Sequence, residues 1–170
     1  KSIIDIRIGN YVMMDIGGGS VEFIISENGS MAWKNSFPIG IATLHNLPFI
    51  TDPIDLNGIA EIKEYIYEEV RLLREEFIKY RDIQLIGAAG SFEILAKQPS
   101  DTKQKYAVVK TKEFLKYLEE VIELSEEERA KLAWIPQERA KYVIMAILLI
   151  QVAIELTSTE EIIISPYALK

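Results

Sequence analysis

The sequence predicts one α/β domain built on a mixed sheet, and three observations point there. Strand-like runs crowd the first forty residues, with connections too short for anything but antiparallel neighbours. From Ile59 onward, helical periods alternate with two short apolar runs, one after Asp82 and one after Glu160. Apolar residues make up 49% of the 170, enough to bury a single core.

Ile3 to Ile8 alternates apolar residues with Asp5 and Arg7, a weak strand pattern, and Gly9-Asn10 turns it. Tyr11 to Asp15 and Val21 to Ser26 read as strands around a glycine turn; Glu27-Asn28-Gly29 makes the next hairpin, and Met31 to Pro38 a third strand. A short helix is expected between Ile39 and Leu47, opening after Gly40, and Asp55 or Asn57 caps the helix that follows. Ile59, Ile62, Ile66, Val70, Leu73 and Phe77 then recur at spacings of three and four, which predicts one helix to about Tyr80. Arg71 with Glu75, and Glu75 with Lys79, are i,i+4 pairs on its wet face. Asp82 to Gly87 is a short buried strand that turns through Gly87-Ala88-Ala89-Gly90-Ser91 into a helix reaching about Lys97.

Pro99 to Lys105 is polar and reads as a loop, and Tyr106 to Lys110 as a short strand. Thr111 is the expected cap of a helix to about Leu124, and Ser125-Glu126-Glu127-Glu128 is a capping-box start. Pro136 is expected to open a long helix to Leu156, whose Val143 to Leu156 core is too short and too interrupted for a membrane span. Glu160 to Ser165 closes the sheet.

The composition excludes several classes. The chain has no cysteine, hence no disulfide or thiolate metal site, and no signal pattern, which fits a cytoplasmic setting. A net charge of −7 argues against a nucleic-acid surface, and neither nucleic acid nor membrane is an expected partner. It also sits awkwardly with a polyanionic substrate unless metal ions, or a part of the protein outside this chain, supply positive charge. His45 is the only histidine, so a histidine metal cluster or base–nucleophile dyad is ruled out, and a solvated or capping role is expected for it. Trp33 and Trp134 read as packing residues.

The chemistry is expected at the two glycine turns. In Asp15-Ile16-Gly17-Gly18-Gly19-Ser20 the glycines can take positive φ and carry no Cβ, so their N–H groups can gather round a phosphate oxygen at close range. Asp15 is a hard oxygen ligand suited to Mg²⁺ riding with that phosphate. The plainer reading is a hairpin whose glycines serve only its bend, but one or two glycines suffice for that. Gly87-x-x-Gly90-Ser91 is a second anion-friendly turn, where small residues also serve close strand–helix packing. Both turns lie at the carboxyl ends of strands, where ligands of α/β sheets collect.

These turns, in this order, resemble the exopolyphosphatase and guanosine pentaphosphate phosphohydrolase (Ppx/GppA) family of the actin and sugar-kinase superfamily. Its Asp-x-Gly-Gly-Gly-Ser-x-Glu pattern is met by Asp15, Gly17, Gly18, Gly19, Ser20 and Glu22. Ser36-Phe37-Pro38-Ile39-Gly40 resembles its Pro-hydrophobic-Gly element, and Gly87 to Ser91 its Gly-x-x-Gly-Thr turn with serine for threonine. Pro136-Gln137-Glu138-Arg139-Ala140 is similar to the arginine-bearing start of its long helix, and Ile164 to Lys170 to its Ser-x-x-x-Leu-Arg/Lys stretch. Thr43 stands where the family has arginine, and Lys141 where it has aspartate.

The resemblance implies a ribonuclease H-like, actin-like ATPase lobe: a mixed sheet of three antiparallel strands, then parallel strands, with helices on both faces. It implies the second of two lobes, with the first lobe, its glycine turn and its water-activating glutamate missing, so that the chain alone is expected to be inactive. The whole protein would release terminal phosphate from inorganic polyphosphate or guanosine pentaphosphate with Mg²⁺. Asp15 and Glu22 would serve catalysis and the metal; Gly17, Gly18, Gly19, Ser20, Gly87, Gly90, Ser91 and Arg139 would bind phosphate. On the residues alone, Glu22 is equally a plain strand residue, Arg139 inclines to an ion pair with a carboxylate, and Ser91 to helix capping beside phosphate contact. A non-catalytic nucleotide or alarmone sensor and a kinase of the same superfamily are the alternatives, and a lobe without its mate would expose apolar surface that favours a homodimer.

Overall fold

In the computed structural model, which describes residues 7–88, 90–95 and 106–165, six strands form one mixed sheet. β1 (Asn10–Ile16), β2 (Val21–Glu27) and β3 (Ser30–Phe37) make the expected antiparallel meander. β4 (Ile83–Ala88) pairs parallel to β1, β6 (Glu161–Ser165) parallel to β4, and β5 (Ala107–Lys110) antiparallel to β6 at the edge. The strand order is β3-β2-β1-β4-β6-β5. The hairpin between β2 and β3 turns through Asn28 and Gly29, both at positive φ (48° and 81°), the conformation an Asn-Gly pair is suited to.

Short α1 (Ile41–His45) follows β3. The single helix expected from Ile59 to Tyr80 is two, α2 (Leu56–Glu69) and α3 (Arg71–Phe77), broken where Val70 leaves helical geometry at φ −91° and ψ 19°. The apolar spacing survives the break, because Ile62, Ile66, Val70, Leu73 and Phe77 are all buried. Periodicity reports the buried face and is blind to a small change of axis along it. Asp55 caps α2, its Oδ1 accepting from Gly58 N–H at 2.7 Å. Lys79 pairs with Glu76, not with Glu75 as the i,i+4 spacing suggested.

α4 (Thr111–Val121) begins at Thr111 itself, so Thr111 is not its cap; the hydroxyl donates instead to Thr159 O at 2.8 Å, tying the helix start to the approach of β6. α5 (Glu126–Arg129) has the capping box read from Ser125 and Glu128. Pro136 opens only a 3-10 turn, Gln137–Arg139, and the long helix α6 runs Val143–Thr157. Arg139 therefore sits on that turn and not on the helix.

α6 is the centre of the core. From Val143 to Ile154 every residue but Gln151 is buried, and α1, α2, α3, α4 and β4 all pack on it. An all-apolar helix belongs in the interior. On β1, Val12, Met14 and Ile16 join this core, while Tyr11, Met13 and Asp15 on the other face are half-buried. No helix among the described residues is long and apolar enough to cross a membrane. Beyond Gly90, the expected helix is a 3-10 turn, Gly90–Leu95; its end near Lys97, the Pro99–Lys105 loop and the Ile3–Ile8 strand lie wholly or partly outside the described residues.

Candidate functional site

The sheet brings the first turn to the carboxyl end of β1, where α1 holds it from behind. Gly17 N–H donates to Ser20 O at 2.9 Å and closes the bend, so Gly17 does not offer its amide to a ligand as expected. The next three carbonyls are taken by the start of α1. Ile41 N–H donates to Gly17 O (3.1 Å), Ala42 N–H to Gly18 O (2.9 Å), and the Thr43 hydroxyl to Gly19 O (3.3 Å). In a planar trans peptide the C=O and N–H point in opposite directions. Tethering these carbonyls therefore turns the amides of Gly18, Gly19 and Ser20 away from α1, and none of them donates to another described residue.

The reason for glycine here differs from the expected one. None of the three lies at positive φ. A Cβ at Gly17 would approach Ser20 O to 3.1 Å, whereas at Gly18 and Gly19 it would meet nothing within 4 Å. The fold does not require glycine at 18 or 19. What its absence of side chain leaves there is open room in front of outward amides.

Asp15 and Glu22 are Cα partners across β1 and β2, and Glu22 and Ser36 across β2 and β3, so all three share one row and one face. Glu22 Oε1 accepts from the Ser20 hydroxyl (2.6 Å) and the Ser36 hydroxyl (2.8 Å), which fixes the carboxylate. Ser20 thus spends its hydroxyl proton on Glu22, leaving its amide for an anion. The Asp15–Glu22 pair fits Mg²⁺, which takes one or two carboxylates and fills its octahedron with water and phosphate oxygens. Among the described residues no group of three or more acidic or histidine ligands occurs, so a caged metal is not what this site would hold.

The second turn divides its residues. Gly87, expected to face a phosphate, is buried inside β4; its missing side chain is replaced by the Phe92 ring, 2.0 Å from where a Cβ would stand. Its role is packing. Gly90, at φ +44°, makes the bend after β4. Gly90, Ser91 and Arg139 are brought together on a cavity of about 260 Å³. Arg139 makes no ion pair among the described residues, against the carboxylate partner it was inclined to, and its Nη1 lies 4.0 Å from the place of a Gly90 Cβ. A larger hollow of about 910 Å³ lies away from both turns beside α2 and α3, and there Glu155 already takes Lys63 and the Tyr67 hydroxyl. Burial and that bond push the Tyr67 hydroxyl up to about 12.

His45 ends α1 with its ring edge-on to Tyr142, centroids 5.3 Å apart, so it packs where solvation or capping was expected. Burial first, then the Lys141 charge, lowers its pKa from the usual 6.5; Arg129 acts the same way, while Glu126 and Asp52 oppose. As the pH falls through 6.5 the unfolded chain binds this proton before the folded one, so the contribution is present above that value and lost below it. An NMR titration is expected to place His45 below 6.5, and Lys141→Met to move it upward; a midpoint at or above 6.5 in the unsubstituted protein contradicts the packing.

Sequence reading missed Arg129 and Tyr142. Arg129 is buried at the end of an acidic helix start, and Tyr142 is half-buried just before α6.

A mixed β3-β2-β1-β4-β6-β5 sheet with helices packed on it is the actin-like fold. The chain belongs to the Ppx/GppA phosphatase family, whose model matches residues 4–170. It is similar to an exopolyphosphatase from Cytophaga hutchinsonii, with 31% identity and a TM-score of 0.89 over 98% of this chain and 56% of that one. The Aquifex aeolicus PPX-GPPA enzyme shares the fold at 23% identity and a TM-score of 0.81, over 95% of this chain and 55% of that one. The chain thus spans about half the length of these solved relatives. No curated protein matches it.

Proposed function

We propose that this chain is the second lobe of a two-lobed hydrolase that releases terminal phosphate from inorganic polyphosphate or guanosine pentaphosphate with Mg²⁺, in the cytoplasm. The observation that carries the reading is the bonding of the first turn. Three carbonyls tied to α1 leave the Gly18, Gly19 and Ser20 amides facing outward beside Asp15 and Glu22. Such fixed donors stabilise charge that develops on a transferred phosphoryl group without reorganising. Asp15 and Glu22 would hold the metal, directly or through water, which neutralises phosphate oxygens when bound. The Ser20 and Ser36 hydroxyls hold the Glu22 carboxylate in place for that role. Ser91 and Arg139 would hold phosphates further along the substrate. The base that activates water comes from the other lobe, so residues 1–170 alone are inactive.

Phosphate release by the intact protein with Mg²⁺ tests this. Asp15→Asn is expected to lower kcat/KM by about a hundredfold or more with the fold unchanged. An intact protein that frees no phosphate from either substrate ends the hydrolase reading, and activity in residues 1–170 alone ends the half-site reading.

A further inference from the structure

We propose that His45 is a positioning residue: its ring, set against Tyr142 at the far end of α1, keeps the outward Gly18 and Gly19 amides in fixed relation to Arg139. The inference rests on the phosphate-binding roles given above to those groups. Its consequence is that a proton taken up at His45 is felt at the first turn.

α1 has only five residues, too few for a helix to hold itself in water, so what its two ends touch decides where it sits. Its first residues hold the glycine turn, with Ile41 and Ala42 N–H on Gly17 O and Gly18 O and the Thr43 hydroxyl on Gly19 O. At the other end Leu44 is fully buried, and His45 closes the helix with its ring on Tyr142. Tyr142 N–H donates to Arg139 O at 2.9 Å, which ties the same contact to the 3-10 turn that carries Arg139. One line of contacts therefore runs from the Gly18 and Gly19 carbonyls through α1 to Arg139. The His45–Tyr142 pair is the link in it that a proton can change.

Charged groups from three parts of the fold face the ring. Lys141 comes from the approach to α6, Glu126 and Arg129 from α5, and Asp52 from the loop before α2. Asp52 is already held by Arg129. Lys141 makes no ion pair among the described residues, and its Nζ lies 5.5 Å from the centre of the Tyr142 ring. An imidazolium at His45 would stand half-buried beside that ammonium, so burial and the Lys141 charge together favour the neutral ring, the form that packs. As the pH falls through the midpoint of His45, below 6.5, the charged ring gives up its place on Tyr142. α1 then loosens, and the bonds that aim the amides loosen with it.

The test follows the His45 ring and the Gly18 and Gly19 amides of the intact protein by NMR from about pH 8 to about pH 5, beside His45→Phe and His45→Ala. The amides are expected to shift with the midpoint of the ring, and to stay flat in His45→Phe, which keeps a ring on Tyr142 but takes no proton. Phosphate release from inorganic polyphosphate gives a second reading. The ratio of kcat/KM for the unsubstituted protein to that for His45→Phe, in which titration of the substrate cancels, is expected to fall about tenfold over that range. At about pH 8, His45→Phe should lie within about twofold of the unsubstituted protein and His45→Ala about tenfold below it. Amides that ignore the midpoint of the ring, or a ratio that does not change with pH, overturn the proposal. If the intact protein frees no phosphate, the hydrolase reading fails and the amide titration alone decides the role of His45. If His45→Ala does not fold, the comparison with His45→Phe decides it.

Discussion

Replacing Arg129 by methionine is expected to destabilise the fold by about 2–5 kcal/mol, mostly through two orphaned carbonyl groups and only partly through a lost ion pair. Arg129 is 4% exposed, and its guanidinium has three partners. Nε donates to Ala140 O at 3.1 Å, Nη1 to Leu124 O, and Nη2 to Asp52 Oδ1 at 2.9 Å. Asp52 in turn accepts from Glu126 N–H, so one side chain joins the loop before α2, the start of α5 and the approach to α6. Asp52 has a side chain 44% exposed and regains water when its partner goes. The Ala140 carbonyl does not, since that residue is 1% exposed, and no backbone N–H of the described residues donates to it or to Leu124 O. Asp52→Asn should therefore cost much less than Arg129→Met, and Arg129→Lys should fall between them, keeping the charge and losing the fork. Thermal unfolding would read the methionine variant as a fall of roughly 4–20 °C for a domain of this size. A drop no larger than that of Asp52→Asn would show that the carbonyls find other donors.

The consequence reaches the site, because Ala140 is the residue after Arg139. A guanidinium that holds the Ala140 carbonyl also fixes the 3-10 turn that presents Arg139 to the cavity. Nothing in the sequence marks this. An arginine at the end of Glu126-Glu127-Glu128-Arg129 looks like the wet end of a short charged helix, and only the packing of distant segments buries it.

That case shows where sequence legibility stops. The meander, the parallel strands β4 and β6 and the buried helix α6 were readable because each depends on a local pattern: alternation, Asn-Gly at the hairpin, an uninterrupted apolar run. Boundaries and breaks were not. Val70 interrupts a helix while keeping its apolar phase, and Pro136 starts a 3-10 turn where a full helix was expected. Within the site, the Asp15-to-Glu22 segment was legible as a turn with chemistry, but its mechanism was not. The sequence suggested glycines chosen for their φ, whereas the structure uses hydrogen bonds from α1, twenty-odd residues on, to aim the peptide planes. Gly87 and Gly90 look alike in the sequence; one is filled by Phe92 and the other bends the chain at the cavity.

The same division among glycines yields the other large effect. Gly40→Ala is expected to disrupt the first turn, while Gly18→Ala and Gly19→Ala leave the fold intact. Gly40 sits at φ −62° and ψ 167°, which any residue adopts, so backbone freedom is not its purpose. Its purpose is contact: a Cβ there would lie 2.4 Å from Gly18 C and O and 2.5 Å from Gly19 C. Those are backbone atoms, held by the very bonds from Ile41 and Ala42 that aim the turn, and they cannot move aside as a side-chain tip can. Relief requires pushing α1 off the glycine turn, at a cost at or above the roughly 1–3 kcal/mol of ordinary overpacking. Gly18→Ala and Gly19→Ala add a methyl to open space and should stay within about 0.5 kcal/mol of the parent. If those amides cradle a phosphate, each methyl stands where the anion must approach, and phosphate release by the intact protein should fall sharply with the melting temperature unchanged. Gly40→Ala should lower both together. A stable, fully active Gly18→Ala/Gly19→Ala double variant would show that the ligand does not pass over this turn at all.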